Sequence, residues 1–232
     1  MPTAPMKEPV AASNTREAIL DAAESLFARQ GYDGTSMRQI TSAASANVAA
    51  VNYHFGSKEA LLHAVLKRRL ALVNQERLRV LDALEAEAGG KPLKPSQILD
   101  AFFGTLLRLA ADPEHAGRNF LQLLERTMTD PAGFLHALFA SEYADVMARY
   151  QNALYAALPD VPRAEIMWRF HFMLGATSYA IMGTDTLRHL TDWRLDPDEQ
   201  ADNPALLLPR LMSFLLGGLR APLAPASGGV PP

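Results

Sequence analysis

The sequence predicts an all-α fold of about nine helices, three short ones followed by six longer ones. Apolar residues recur at the spacing of one helical face along almost the whole chain, and proline and glycine separate these runs. No segment alternates apolar and polar residues well enough to predict a strand. We therefore expect a small three-helix domain over residues 13–57 and a larger helical domain over residues 58–220. The ends, residues 1–12 and 221–232, are rich in Pro, Ala and Gly and are predicted to be disordered.

Composition limits the classes of protein to which the chain can belong. Of its 232 residues, 49% are hydrophobic and 20% charged, which is typical of a soluble protein. Cysteine is absent, and this excludes disulfides, thiolate metal sites and cysteine nucleophiles. The N-terminus has no apolar core of signal-peptide length, and the most apolar stretch, residues 170–183, is shorter than the roughly 20 residues that a membrane span needs. We expect a cytoplasmic protein with no membrane partner.

The charges are unevenly distributed along the chain. Residues 1–70 hold eight Lys and Arg against six Asp and Glu, whereas the remaining residues hold fourteen against nineteen. The first part is therefore positive, although the net charge of the whole chain is −3. A positive N-terminal segment followed by an acidic one is typical of a DNA-binding domain joined to a domain with another function. An excess of only two positive charges, however, also arises by chance.

The first predicted helix runs from Thr15 to Gln30. Asn14 is the predicted N-cap, and Gly31 occupies the position where a glycine commonly ends a helix. One apolar stripe is expected to face the core of the small domain. Its members are Ile19, Ala22, Ala23, Leu26 and Phe27.

The next three helices follow at short intervals. Ser36 and Gln39 have the spacing of a capping box, which predicts a second helix that ends near Ala44. Asn47 is the predicted N-cap of a very short third helix, and Ser57 that of a long fourth helix ending near Ala88. Two short helices joined by a tight turn indicate a helix-turn-helix.

Proline marks the start of most of the later helices. We expect helices over residues 95–111, 115–128, 131–158, 162–190 and 204–220, with a bend near Ser141 in the third of these.

The third helix is predicted to have an inner and an outer face. By helical spacing, Ala46, Val51 and Phe55 lie on the inner side, against the preceding helix. On the outer side, Asn52 can pair with a base edge, and Val48 can contact a thymine methyl group. Ala49 is small enough for close approach of the backbone, and Tyr53 and His54 are suited to phosphate oxygens. For Tyr53, the alternative is a half-buried aromatic residue that holds this helix on the first one.

Phosphate anchors are expected at two helix N-termini beside this face. Lys58 places a cation in the first turn of the fourth helix, where the helix dipole makes a positive charge unfavourable. A phosphate bound at this N-terminus would account for it. Three residues at the start of the second helix are expected to act in the same way. The predicted DNA contacts are therefore Thr35, Ser36, Arg38, Asn47, Val48, Ala49, Asn52, Tyr53, His54 and Lys58.

These motifs resemble the DNA-binding domain of the TetR family of bacterial transcriptional regulators. The similarity runs through residues 16–65, "REAILDAAESLFARQGYDGTSMRQITSAASANVAAVNYHFGSKEALLHAV". Many relatives carry Gly before the capping residue of the third helix, whereas this chain has "SAN". The resemblance implies an all-helical homodimer, usually a repressor, with a small-molecule pocket and a dimer face formed by the last two long helices.

A second, shorter resemblance concerns the segment "VPRAEIMWRFHFMLGATSYAIMGTDTLR". It is similar to TetR-family regulators of fatty-acid metabolism genes, which respond to long-chain fatty acids or their thioesters. The residues predicted to line the pocket are Phe102, Phe103, Leu106, Phe120, Leu124, Phe134, Trp168, His171, Phe172, Gly175 and Tyr179. The four phenylalanines are included because the resemblance implies a cavity among the middle helices; the alternative is that they are core residues. His171 is the expected partner of the ligand's polar end, with Arg126 or Arg169 as substitutes.

The face that contains Trp168, His171 and Tyr179 allows two interpretations. It can line an apolar cavity with one ionisable group, as a fatty-acid head group would require. Alternatively, it packs against the last helix, with Gly175 allowing close approach across a dimer.

Other chemistry has little support in the sequence. The six histidines form no i, i+4 pair beside a third ligand, and there is no nucleophile elbow, phosphate-cradling loop or paired-carboxylate segment. We predict no metal, no cofactor and no enzymatic activity.

The predicted function is that of a ligand-responsive transcriptional regulator. We expect a homodimer that represses from a near-palindromic site in double-stranded DNA and is released by a small hydrophobic effector; promotion of DNA binding by ligand is the opposite possibility. We expect the fourth helix to link the effector pocket to the DNA-binding domain. The residues that make this link are Leu61, Leu62, Val65 and Leu66. The rival predictions are an all-α lipid- or metabolite-binding protein without DNA binding, and an enzyme that has reused the fold.

Overall fold

A computed structural model describes residues 10–111, 120, 123, 134–181 and 204–223. All regular secondary structure in these ranges is helical, which confirms the predicted all-α class. The chain divides into two compact units. Within the described ranges, unit 1 contains residues 10–73, 120, 123 and 134–143, and unit 2 contains residues 74–111, 144–181 and 204–223. In the ranges that the structure describes, no helix combines the length and hydropathy that a membrane crossing requires.

The described residues form nine α-helices and one π-helical turn. They are α1 (Val10–Gln30), α2 (Met37–Ala43), α3 (Val48–Phe55), α4 (Lys58–Ala88), α5 (Pro95–Leu99), a π-helical turn (Asp100–Gly104), α6 (Thr105–Ala111), α7 (Phe134–Ala157), α8 (Arg163–Ile181) and α9 (Pro204–Leu219). The π-helical turn continues from α5 directly into α6.

Most predicted helix boundaries in unit 1 agree with the structure, but the start of α1 does not. The helix begins at Val10, so Asn14 lies inside it rather than at its N-cap, and residues 10–12 are helical rather than part of a tail. Alanines at positions 11 and 12 favour this extension, because alanine is the strongest helix former. Gly31, with a φ of 74°, ends α1 as the sequence predicts.

The later helices agree with their predictions where they are described. Pro95 occupies the first turn of α5, and Pro204 begins α9. Residues 182–190 of the predicted eighth helix lie outside the described residues, as do residues 131–133 and most of the predicted helix over 115–128. A proline, Pro209, also lies within α9, where it removes one backbone donor.

The core of unit 1 is formed by α1, α2, α3 and the first half of α4. Helix α1 packs against α2 and α3, whose Ile40 and Val51 are completely buried. The other members of this core include Ile19, Leu20, Phe27, Leu61, Leu62, Val65 and Leu66. Burial of each large apolar side chain contributes about 1.5–3 kcal/mol. This core fixes the short helices α2 and α3, which could not be stable alone.

A buried ionic cluster joins α1 to α4. Glu24 accepts hydrogen bonds from Arg68 at 2.8 Å and from Arg69 at 2.7 Å, and its side chain is almost completely buried. The exposed Asp21 pairs with Arg68 at 2.8 Å. A buried carboxylate requires such partners, because desolvation of an unpaired charge is costly.

Aromatic rings and a buried arginine form the core of unit 2. Phe102 makes edge contacts with Phe103, Tyr150 and Phe170, with ring centroids 4.9–5.0 Å apart. The Arg77 guanidinium lies 3.8 Å from the centre of the Phe102 ring, and its Nε donates to the Phe102 carbonyl at 2.9 Å. The π-helical turn is therefore held from the side by a residue of α4.

A second arginine connects α8 and α9. Arg169 donates to the Leu219 carbonyl at 2.6 Å, at the C-terminus of α9, and to Glu165 at 2.8 Å. A cation at this end of a helix is favourable because it complements the helix dipole. Arg169 was predicted as a substitute ligand contact, but the structure gives it this capping role instead.

Candidate nucleic-acid interface

Helices α2 and α3 form the helix-turn-helix that the sequence predicts. The capping box of α2 is present, because Gln39 accepts from the Ser36 amide at 2.7 Å while the Ser36 hydroxyl oxygen accepts from the Gln39 amide at 3.3 Å. Asn47 caps α3 by accepting from the Ala50 amide at 2.7 Å. These caps satisfy backbone donors that helix starts leave open, and so they define where both short helices begin.

The turn between the two helices contains an unusual backbone conformation. Ser45 has a φ of 50°, and it is the only non-glycine residue with positive φ among the described residues. Ser45 is the first residue of the "SAN" segment that precedes α3. A serine therefore adopts here a left-handed conformation that glycine would adopt at little steric cost.

The outer face of α3 is open to solvent. Val51 is completely buried, whereas Tyr53 is 84% exposed, and Val48, Ala49 and Asn52 are also exposed. This distribution agrees with the predicted inner and outer faces. It also excludes the alternative in which Tyr53 is a half-buried residue holding α3 on α1.

Two half-buried residues close the C-terminal end of α3. The His54 ring meets the Tyr53 ring edge-on, with centroids 5.1 Å apart. On the inner side, the Arg16 guanidinium lies 5.4 Å from the centre of the Phe55 ring, so α1 covers this end of α3. His54 thus lies between the exposed and the covered side of the helix.

The N-terminus of α2 presents polar groups beside this face. Ser36 and Arg38 are exposed, and the Arg38 guanidinium has no side-chain partner among the residues that the structure describes. An exposed arginine beside a helix N-terminus is well suited to bind a phosphate. The predicted roles of both residues are compatible with their positions.

The structure contradicts the predicted role of Thr35. Its side chain is only 1% exposed, and its hydroxyl donates to the Gly31 carbonyl at 2.7 Å. The side chain therefore stabilises the turn between α1 and α2 and has no access to a phosphate.

Lys58 also departs from its prediction as a phosphate anchor. Its Nζ donates to the carbonyls of Tyr32 at 2.7 Å and Thr35 at 2.9 Å, and it lies 4.1 Å from the centre of the Tyr32 ring. The ammonium is thus bound within the protein, which explains how a lysine is tolerated in the first turn of α4.

The predicted pocket residues fall into three groups: buried residues, residues outside the described part of the chain, and exposed residues of α8. Phe102, Phe103, Leu106 and Phe120 are buried, as both a pocket wall and a packed core require. For Leu124 and Arg126, and for the side chain of Phe134, the predictions lie outside the described residues.

The prediction that the Trp168 face lines an interior cavity is wrong for the single chain. Trp168 is 59% and Phe172 64% exposed, and His171, Gly175 and Tyr179 are exposed as well. The buried stripe of α8 lies on its other side, where Phe170 and Met173 enter the core. His171 stands in an open surface groove with Ala164, Met167 and Trp168. This exposure favours the alternative interpretation, an interface.

Family comparisons agree with this architecture over both parts of the chain. Residues 19–65 match the family described as "Bacterial regulatory proteins, tetR family". Residues 100–218, just over half of the chain, match "Tetracyclin repressor-like, C-terminal domain". The chain belongs to the TetR family. Proteins of this family are non-enzymatic transcriptional regulators that bind DNA, so the family excludes the predicted rival of an enzyme.

Relatives with assigned roles match part of this TetR-family chain. It is 38% identical over 77 residues to the HTH-type transcriptional repressor NicS of Pseudomonas putida, which is 33% of this chain and 36% of NicS. It is 36% identical over 58 residues to the repressor AcnR of Corynebacterium efficiens, 25% of this chain and 31% of AcnR. The matched segments thus span about a third of these relatives.

Solved structures share the fold of this TetR-family chain over most of its length. The fatty acid degradation regulator FadR from Bacillus halodurans has a TM-score of 0.61 at 16% identity, with 93% of this chain and 99% of that one covered. FadR from Bacillus subtilis in complex with stearoyl-CoA also has a TM-score of 0.61, at 14% identity, with 87% and 98% covered. At these identities the similarity establishes the fold alone.

Two residues that shape this TetR-family protein carry little signal of their role in the sequence. The buried Arg77 lies in a stretch of α4 with many charged residues, where nothing local distinguishes it from its exposed neighbours. Tyr32 follows Gly31 in the turn after α1, and its ring and carbonyl both contact Lys58. The aromatic residue next to Gly31 was the one available signal for a packed turn.

Proposed function

We propose that the protein is a homodimeric transcriptional repressor that binds a near-palindromic DNA site and is released by a hydrophobic effector. The observation that carries DNA binding is the solvent-exposed outer face of α3, with Asn52 and the 84% exposed Tyr53, on a helix whose inner face is fixed by Val51. A carrier without DNA binding has no use for such a face. The similarity to the repressors NicS and AcnR over part of the chain supports repression.

In this proposal the exposed residues divide into base readers and phosphate contacts. Asn52 pairs with a base edge, Val48 contacts a thymine methyl group, and Ala49 permits close approach. Tyr53 and His54 bind backbone phosphate at one end of α3. Ser36, Arg38 and the N-terminus of α3 at Asn47 provide further phosphate contacts.

Dimerisation follows from the reach of one short helix and from the surface of unit 2. A single helix-turn-helix reads few base pairs, so specific binding requires two half-sites. Exposed aromatic side chains on α8 and α9, among them Trp168, Phe172 and Phe214, offer an apolar surface for a second copy. TetR regulators are typically dimers, which supports this arrangement.

The effector is proposed to be a long-chain fatty acid or its thioester. The support is the resemblance of the C-terminal segment to fatty-acid-responsive regulators and the shared fold with two FadR proteins, one of them bound to stearoyl-CoA. Because Trp168 and His171 are exposed, the effector's polar end is not assigned to His171. Release requires that the ligand bind the DNA-incompatible conformation more tightly than the DNA-bound one.

DNA binding is tested by a gel shift with the DNA flanking the protein's own gene, followed by selection of the operator from random DNA. We expect a selected site with two half-sites related by near two-fold symmetry. A selected pool without any shared sequence would contradict specific binding.

The effector is tested on the operator complex with saturated fatty acids and acyl thioesters of increasing length. Each buried methylene contributes about 0.8 kcal/mol, so release should occur at lower concentration as the chain lengthens, until the cavity is full. Short-chain acids serve as controls. Release that does not depend on length, or no release at all, would remove the acyl part of the proposal but leave DNA binding intact.

A further inference from the structure

Lys58 has an environment that differs from that of a surface lysine. Its ammonium donates to two backbone carbonyls, those of Tyr32 and Thr35, 26 and 23 positions earlier in the sequence. It also lies against the face of the Tyr32 ring, 4.1 Å from the centroid, where the negative face of the aromatic ring attracts a cation. Three contacts from one ammonium thus hold the segment that connects α1 to α2.

This connecting segment is itself tightly organised. Thr35 is buried and donates to the Gly31 carbonyl, and the Tyr32 ring stacks on Phe27 of α1 with centroids 6.0 Å apart. Gly31 leaves α1 with a positive φ. The Lys58 ammonium completes this arrangement from the start of α4, which lies immediately after α3 in the chain.

The contacts of Lys58 with Tyr32 and Thr35 are important because predicted DNA-contacting residues stand on both sides of them. Ser36, the N-cap of α2, directly follows Thr35, and the exposed Arg38 lies in the first turn of α2. On the other side, only Gly56 and Ser57 separate Lys58 from the end of α3. The Lys58 contacts therefore fix the N-terminus of α2 relative to the junction of α3 and α4. The proposed DNA-contacting groups stand at these two places.

We propose that Lys58 is a positioning residue for DNA recognition, and that it aligns the α2 N-terminus with α3 instead of binding a phosphate. The inference rests on the proposed function, since it assumes that the outer face of α3 meets DNA. A phosphate ligand would contribute one released counterion per half-site, whereas a positioning residue would leave the salt dependence unchanged.

The first test compares two variants by their salt dependence on operator and random DNA. Lys58→Met keeps an unbranched side chain and removes the ammonium, and Arg38→Ala is the matched control for a phosphate ligand. We expect Lys58→Met to lose about tenfold in operator affinity, as lost hydrogen bonds to a charged group imply, with an unchanged salt slope and a reduced preference over random DNA. Arg38→Ala should reduce the salt slope by about one per half-site and weaken both DNAs alike.

A stoichiometric titration distinguishes positioning from a general loss of stability. If Lys58→Met merely unfolded part of the sample, the active fraction would fall while the folded fraction kept its operator affinity. That result would overturn the proposal. A salt slope reduced as in Arg38→Ala would overturn it too, because it would show a phosphate contact.

The second test uses the unaltered full-length protein and needs no DNA. With an acetylating reagent and mass spectrometry, Lys58 should react about tenfold more slowly than the exposed Lys91, because its ammonium is held by two carbonyls. Rapid acetylation of Lys58 that slows only when operator is added would overturn the proposal. Absence of operator binding by the wild-type protein would instead refute the proposed function, so the two failures are distinguishable.

Discussion

Ser45 imposes a conformational cost on the turn between α2 and α3. Non-glycine residues in the left-handed region are destabilised by about 1–2 kcal/mol, and Ser45 has a φ of 50°. Ser45→Gly removes this strain but increases the entropy of the unfolded chain, so we expect a net gain of about 0.5–1 kcal/mol in the free energy of unfolding. Urea denaturation measures this change in the free energy of unfolding. The control, Ser42→Gly inside α2, should destabilise by a similar amount, and equal losses in both variants would contradict the assigned conformation.

Asn52 is the residue for which sequence-specific recognition is predicted most directly. Asn52→Ala should relax the preference at one base pair in each half-site and cost about 1–3 kcal/mol per bidentate contact. Competition binding against operators with single base changes detects this. If the variant loses affinity equally for operator and random DNA, Asn52 contacts the backbone, and the proposed register of α3 in the groove is wrong.

Individual side chains were predictable from the sequence where the determining contacts are local. Helical spacing correctly assigned Val51 to the inside and Tyr53 to the outside, and the capping box at Ser36 was recognisable from four adjacent residues. Thr35 and Lys58 were assigned wrongly for a different reason. Both lie at helix N-termini, where phosphate binding is a reasonable expectation. The partners of Lys58 are more than twenty positions away, whereas the partner of Thr35, Gly31, is four positions away, so a local contact alone did not make the burial of Thr35 predictable.

The packing of α1 on α4 depends on one buried carboxylate. Glu24→Gln would leave Arg68 and Arg69 without their shared anion, and breaking a buried pair of this kind destabilises by about 3 kcal/mol, less where the arginines reach solvent. Chemical denaturation should show this loss. Asp21→Asn, which changes an exposed partner of the same Arg68, should cost less than about 1 kcal/mol. Equal effects of the two variants would refute a special role for Glu24.

The packing of α7 on α4 predicts a loss of stability at high pH. Burial raises the pKa of Tyr150 well above its ordinary value, and its hydroxyl donates to the Arg77 carbonyl at 2.8 Å. Because the folded-state pKa is raised, this stabilisation is complete below the unfolded pKa of about 10 and is lost as the pH rises beyond it. Chemical denaturation at several pH values between about 8 and 11, the range in which tyrosine ordinarily loses its proton, measures the decline in the free energy of unfolding. Tyr150→Phe should reduce that decline, and an unchanged decline would assign it to other groups.

Whole helices were more predictable than their irregularities. Apolar spacing together with caps identified α2, α3, α4 and α9 with boundaries within about two residues, as expected for strongly patterned segments. The π-helical turn within residues 95–111 was not predicted. Its Phe102 carbonyl accepts from Arg77 and its rings pack on Tyr150 and Phe170, so its surroundings come from distant parts of the chain. Such contacts leave no periodic signal.

The assignment of faces on α8 shows a limit of sequence patterns at the scale of the molecule. The helix carries apolar residues on two sides, with Phe170 and Met173 on one and Trp168 and Phe172 on the other. Periodicity shows that both sides are apolar, but not which one the chain itself covers. The structure buries the first and exposes the second, and a helix that is apolar all round requires an additional partner for its exposed side.

A second copy of the chain is the predicted partner for that side, and the double variant Trp168→Ala with Phe172→Ala tests it. Both side chains are more than half exposed in the single chain, and buried aromatic residues at interface centres typically contribute 2 kcal/mol or more each, about 30-fold in the dissociation constant. Sedimentation should show a wild-type dimer at micromolar concentration and a weakened dimer for the variant, with operator affinity reduced in parallel. Leu72→Ala removes an exposed apolar residue of α4 and should leave association unchanged. A wild-type monomer, or a variant that associates like the wild type, would show that this face does not hold the dimer.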